Sequence, residues 1–259
     1  MTEMITLATQ LSGLGQDVLW VGFLVFLRVG AAMALMPAFG EQAVPQRVKL
    51  VLALAFTAVV APAVSADLVA IAPGQATPLI TEVIAGLIIG AGLRFFIIAL
   101  QIAGTIIAQA TTLSQLFAGT GPEPQPAIAN LLVMAGLALA VMAGLHLHVA
   151  ELLILSYEPL PAGQFPGASD TADWGLFQIA RAISLAFALA APFVAASLIY
   201  NVAIGVINRA MPTLMVSFVG APALALGGLL LLAVVTPLAL AVWISAIDSY
   251  VAAPFAVAP

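Results

Sequence analysis

The sequence predicts an all-α integral membrane protein of about six long, kinked hydrophobic helices, in one membrane-embedded domain over residues 1–259. Three observations carry this. Of the 259 residues, 64% are hydrophobic and only 7% charged, where an average soluble domain carries roughly 25% charged residues. The mean hydropathy is +1.21, so there is too little polar side chain to cover a folded surface. Such a chain needs lipid or a large apolar partner as its solvent. The apolar residues also fall in runs of spanning length, about 20 residues, set apart by clusters of proline and glycine.

The first helix is expected from Val18 to Met36, stopped by Pro37. The polar connector Gly40–Arg47 leads into a second helix from Val48 to about Ala66, its end bent at Pro62. Asp67–Pro78 holds Pro73, Gly74 and Pro78 and reads as a loop. The third apolar stretch, Leu79–Phe117, would reach roughly 60 Å as one helix; it either breaks within itself or projects beyond the bilayer. Gly119, Gly121, Pro122, Pro124 and Pro126 then form the strongest break in the chain. A fourth helix is expected from Ile128 to about Ser156, followed by the acidic loop Glu158–Asp173. The fifth runs from Trp174 to about Ile207 with a kink at Pro192. The sixth runs from Leu214 to Val251, bent or split at Pro222 and Pro237.

Charge narrows the function classes. The formal net charge is −5 with six Lys and Arg in all, so no basic patch exists to neutralise phosphates, which argues against a nucleic-acid partner. Cysteine is absent, which removes disulfides, thiolate metal sites and a cysteine nucleophile. Glu3 and Asp17 precede the first apolar run without a basic residue, so no cleaved signal peptide is expected. The positive-inside rule puts the connectors that carry Arg47, Lys49 and Arg209 in the cytoplasm, and with six crossings both termini face outward.

A few polar residues interrupt the apolar stretches. Arg28, Glu82, Arg94 and Arg181 are expected as buried charges, because an ionisable group in hydrocarbon is costly. They read either as an ion or proton relay, or as inter-helix locks or side chains snorkelling near an interface, and no chain of Asp, Glu and His accompanies them. Gln101, Thr105, Gln109, Thr112 and Gln115 recur at spacings of three or four and share one helix face. That face either lines a water-filled passage or makes hydrogen bonds between helices. Gly86 and Gly90 form a G-x-x-x-G, which lets helices approach closely. His146 and His148, two apart, point to different helix faces and make no metal pair. No Ser/His/Asp set, H-E-x-x-H or G-K-[ST] is present, so no catalytic, metal or cofactor residue is assigned, no cofactor is expected, and the chain is not expected to be an enzyme.

Several segments resemble the FliR/SctT family, the R-type subunit of the type III export gate of flagella and injectisomes. They are Phe26-Leu27-Arg28-Val29 with Pro37-Ala38-Phe39-Gly40 and Val44-Pro45-Gln46-Arg47-Val48-Lys49; Glu82, Gly86 and Gly90 continuing to Gln101, Gly104 and Gln109; Gly144 and His146 with Ser156 and Pro159; and Asn201, Gly205, Asn208, Arg209 and Pro212 with Val216, Phe218, Gly220 and Pro222. They cover most of the chain in the family's order. The chain departs from the family pattern after the third stretch, where Gly121-Pro122-Glu123-Pro124 replaces an Asp-Pro pair.

The resemblance implies bent helical hairpins and a channel-forming subunit of the closed export pore in the bacterial inner membrane, at the basal body if flagellar. It implies P-type and Q-type subunits and the large export-gate subunit as partners, with unfolded secreted proteins in transit and lipid around. It also implies a pore plug after the third stretch. The plug is placed at Phe117, Gly119, Gly121, Pro122, Glu123 and Pro124, because the polar face from Gln101 to Gln115 leads into that break; an exposed cytoplasmic connector is the other reading. The alternative function is a small-solute transporter or channel, which would show matching broken helices in two related halves.

Overall fold

The computed structural model describes residues 2–41, 44–69, 71–72, 74–111, 127–211 and 216–256. Among them there is no strand, and seven helices form: α1 Thr2–Leu35, α2 Gln46–Leu68, α3 Ala76–Thr111, α4 Ala127–Met142, α5 Leu145–Leu155, α6 Ala168–Ala210 and α7 Val216–Ala252. Five are long and apolar enough to cross a membrane, and the bent pair α4 and α5 makes a sixth if it counts as one span.

Several expected boundaries are corrected. α1 begins at Thr2 rather than Val18. The segment before Val18 is too polar for a hydropathy window, yet Met4, Leu7, Leu11 and Leu14 recur at helical spacing. Asp67 and Leu68 belong to α2, and α6 starts at Ala168, inside the expected acidic loop. Among the described residues the third stretch is one uninterrupted helix of 36 residues as far as Thr111, about 54 Å long, with no internal break; residues 112–117 of the expected stretch lie outside the described residues. Pro222 and Pro237 do not split the last helix, which runs 37 residues through both. Pro62 and Pro192 likewise lie inside continuous helices. A membrane helix tolerates the missing N–H where neighbouring groups re-satisfy the freed carbonyl.

The expected fourth helix is two. α4 closes with the Ala143 amide donating to Leu139 O at 2.8 Å, and Gly144 follows in the left-handed region at φ 86°. That backbone conformation disfavours any side chain, and it separates α4 from α5.

Chain contacts divide the molecule into two compact units, 1–94 with 144–177 and 251–259, and 95–143 with 178–250. In the first, α1 and α2 form a hairpin and α5 packs on α2. Gly86 of α3 meets the Arg28 carbonyl and Ala31, and Gly90 meets Ala32 and Leu35. Both positions advance together, so α1 and α3 run parallel. Indoles tie down a connector and the C-terminal segment: Trp20 Nε1 donates to Ile71 O, between α2 and α3, at 3.1 Å and Trp174 Nε1 to Pro254 O at 2.8 Å.

The second unit is an up-and-down arrangement of the C-terminal half of α3 with α4, α6 and α7. Gly104 of α3 meets Ala129 of α4, and Gly136 of α4 meets Leu100 of α3, so these two run antiparallel. Ile107, Leu132, Ala190 and Phe193 form the core, with Leu231, Leu232 and Val235 of α7 packed against it. At one end Trp243 Nε1 donates to Phe96 O at 2.8 Å, and at the other Thr111 packs on Gly228. The outer faces of α6 and α7 stay apolar and exposed, at Phe187, Leu198, Ile199, Leu230, Val234 and Leu238 among others.

Candidate functional site

A polar node closes the first unit. Arg28 and Glu82 are 1% and 0% exposed, on parallel helices held together by the glycine face. Glu82, Gly86 and Gly90 are four apart and share one face of α3. The two glycines let the α1 backbone approach, and Glu82, one turn earlier, receives the guanidinium. Arg28 Nε donates to Glu82 Oε2 at 2.8 Å and Nη2 to Oε1 at 3.0 Å, a side-on bidentate pair. Nη1 donates to Ser156 Oγ at 3.0 Å and Nη2 to Leu160 O at 2.8 Å.

Tyr157 completes the node. Its ring lies 3.6 Å from the guanidinium carbon, close enough for cation–π attraction. Its hydroxyl donates to Glu82 Oε2 at 3.1 Å. Burial pushes the phenol above its ordinary pKa; the Arg28 charge opposes this and the Glu82 carboxylate adds to it. The hydroxyl is therefore protonated at neutral pH and acts as the donor. The node welds α1, α3 and the turn after α5 into one body, with both charges hydrogen-bonded and paired, as buried charges require.

The other charges are arranged differently. Arg94 is not buried but about 31% exposed, because its Nη1 reaches out to Glu41 Oε1 in the turn after α1, at 2.6 Å. Arg181 is half-buried rather than buried, with Nη2 donating to Ala246 O at 3.3 Å at the side of α7. Arg47 and Lys49 lie in the first turn of α2 rather than in a connector, and Lys49 Nζ donates to Gly40 O at 3.0 Å. Arg209 is likewise in a helix, in the last turn of α6, where a cation suits the helix dipole.

Gln101 and Gln109 are exposed on α3, and between them the Thr105 hydroxyl turns back to Gln101 O at 2.8 Å. Thr112, Gln115, Phe117, Gly119, Gly121, Pro122, Glu123 and Pro124 lie outside the described residues. On α5, His146 is exposed and His148 half-buried.

Sequence reasoning missed Tyr157 altogether and gave Ser156 no role beside Arg28. A serine and a tyrosine closing an apolar helix were the available signal. It also missed the close contacts at Gly104, Gly136 and Gly228, since glycine is common in membrane helices.

This fold and node define a polytopic all-α membrane protein whose charges lock helices together. The family model for bacterial export proteins, family 1, matches residues 19–250, and the chain belongs to that family. It is 38% identical to the flagellar biosynthetic protein FliR of Caulobacter vibrioides over 221 residues, 83% of this chain and 87% of the relative. The protein of the same name from Escherichia coli is 32% identical over 226 residues, covering 83% and 84% of the two chains. That from Pectobacterium carotovorum is 29% identical over 236 residues, covering 85% and 86%.

Proposed function

We propose that this chain is a channel-forming subunit of a flagellar type III protein export gate in the bacterial inner membrane, at the basal body. The observation that carries this is the similarity, over most of each chain, to proteins named as flagellar biosynthetic, 38% identical in the Caulobacter vibrioides relative. The described surface agrees with an assembled subunit: α7 has only 17% of its spanning window covered by the chain itself, so lipid or other subunits must cover the rest. Its partners in this reading are P-type and Q-type gate subunits and the large export-gate subunit, and its cargo is unfolded flagellar protein.

The polar residues Gln101 and Gln109 line the passage in this reading, and the stretch 117–126 plugs it. The glycines and prolines of that stretch disfavour a continued helix, and a non-helical segment in a membrane protein is tolerated where it is buried in protein or lines a water-filled cavity, which supports a plug. Removing the gene should abolish flagellar filaments and secretion of flagellar proteins, and the intact gene in trans should restore both. Purification in mild detergent should bring down several copies of other hydrophobic subunits. Normal secretion without the gene, or a lone monomer that keeps full function, overturns the reading. Deleting residues 119–125 should leave assembly intact and make the closed complex leak ions; a tight complex after the deletion removes the plug.

A further inference from the structure

Two adjoining cavities flank the connector between α5 and α6, and every residue in their walls belongs to the first compact unit. The first, of about 220 Å³, has Asp170, Trp174 and Phe255 in its wall. The two aromatic rings lie with centroids 6.3 Å apart, and the indole N–H is already engaged by Pro254 O. What remains for a ligand is apolar surface and the attraction of ring faces for a cation. Asp170 adds a charge of the matching sign. It is exposed and forms no ion pair among the described residues. It accepts one hydrogen bond, from Ser169 Oγ to Oδ1 at 3.4 Å. Its Oδ2 lies across Gly167, where a Cβ would come within 2.8 Å of it, and Gly167 lines the same cavity.

The second cavity, of about 350 Å³, shares Ile88, Pro166 and Thr171 with the first. The rest of its wall is apolar, with Ile84 from α3, Phe165 from the connector and Ala172 from α6. Together they offer an acidic, aromatic end and an apolar end. One carboxylate is too few ligands for a bare metal ion, and a purely apolar molecule leaves Asp170 unmatched. An amphiphile with a cationic head meets both ends.

We propose that these cavities bind a phospholipid with an ammonium headgroup, the ammonium against Asp170, Trp174 and Phe255 and an acyl chain along Ile84, Ile88 and Phe165. This goes beyond the export reading and needs only that the chain sit in a bilayer. The connector itself sets the level. Residues 156–167 lie between helices, and Glu158, Gln164 and Phe165 are exposed there. Lipid-exposed irregular backbone does not occur within hydrocarbon, so the connector lies outside it. Asp170 is the third residue of α6 and borders the same level. Ile84 and Ile88 belong to the apolar span of α3. A lysine from another protein would match the acidic end and leave the apolar end unfilled, which makes it the rival to separate.

Carbodiimide makes the separation, because it condenses a carboxylate with an adjoining primary amine and so records which amine lies beside Asp170. The whole chain, with the subunits that accompany it, is placed in vesicles of phosphatidylethanolamine and phosphatidylglycerol and treated. Adducts are then located by mass spectrometry. Asp173 is the internal control, exposed on α6 and lining neither cavity. We expect ethanolamine lipid on Asp170 about tenfold more than on Asp173, the order that cation–π attraction and one charge pair supply together. Ala172→Trp, which fills the apolar end from an exposed position, should bring the Asp170 adduct down to the Asp173 level. Phosphatidylcholine, with an ammonium but no primary amine, should compete, and further phosphatidylglycerol should not.

Equal coupling at the two acids overturns the proposal. So does a lysine peptide of another subunit joined to Asp170 in place of lipid. Competition by the glycerol lipid as strong as by the choline lipid overturns it as well, since headgroup charge would then play no part. An undiminished adduct in Ala172→Trp does the same for the apolar end. None of these outcomes turns on the gate reading, which the secretion assay tests separately.

Discussion

Arg28 makes its bonds with both charges sealed from water, which sets how the pair responds to substitution. Removing one partner leaves the other charge buried and uncompensated. Arg28→Leu and Glu82→Leu should each destabilise the chain by about 3–5 kcal/mol, and the double replacement by less than either alone. An unsatisfied neutral hydrogen-bond partner would cost only about 1–3 kcal/mol; the closed ion pair raises that figure. Thermal unfolding of the four chains in detergent measures the cycle; equal losses for the double and single replacements would remove the pair as a unit. An arginine in an apolar helix was legible as a site needing a partner, because hydrocarbon leaves it no other option. Which partner was not legible. Glu82 lies 54 residues away and Ser156 128, and no local pattern links positions that only the tertiary fold brings together. Arg94 shows the converse: the same residue type in another apolar helix, α3, meets Glu41 beside solvent and stays part-exposed.

At the scale of elements, glycines decide where helices touch. A Cβ at Gly86 would overlap the Arg28 carbonyl oxygen, whereas one at Gly30 meets nothing within 4 Å. Gly86→Ala should force α1 and α3 apart and cost about 1–3 kcal/mol as overpacking. Gly30→Ala should be neutral or stabilise by about 0.5–1 kcal/mol through helix propensity. Melting temperatures of the two variants compare them directly, and equal effects would remove the close approach as the reason for glycine at position 86. The helix count was readable from hydropathy, which sees length and composition. The break at Gly144 was not, because a glycine inside an apolar run is commonplace and only its φ of 86° marks the corner. The polar start of α1 was missed for the opposite reason, since its periodicity is helical while its hydropathy is low.

For the molecule as a whole, apolar surface determines the conditions under which it persists. The five long spans and the bent pair expose large side chains along most of α6 and α7. Alkaline carbonate, which strips peripheral proteins, should leave this chain in the membrane pellet, and only detergent should release it. Recovery in the carbonate supernatant would contradict integral insertion. The class of protein was legible from composition alone, because 7% charged residues cannot clothe a soluble fold of this size. Its division into two units was not, since α3 and α6 pass through both without interruption.

The Arg28–Glu82 pair also sets an order of events during synthesis. The ribosome makes Arg28 first and Glu82 54 residues later, a delay of roughly 3–11 s at about 5–20 residues per second. Ser156 follows Arg28 by 128 residues, roughly 6–26 s at the same pace. Throughout that interval the first helix carries an uncompensated guanidinium, which costs about 2.5–3.5 kcal/mol at a helix centre as the insertion machinery weighs it. The nascent helix is therefore poorly held in lipid by itself. It must be sheltered beside the translocation channel, or rest near the headgroups, until the third helix emerges and supplies the counter-charge.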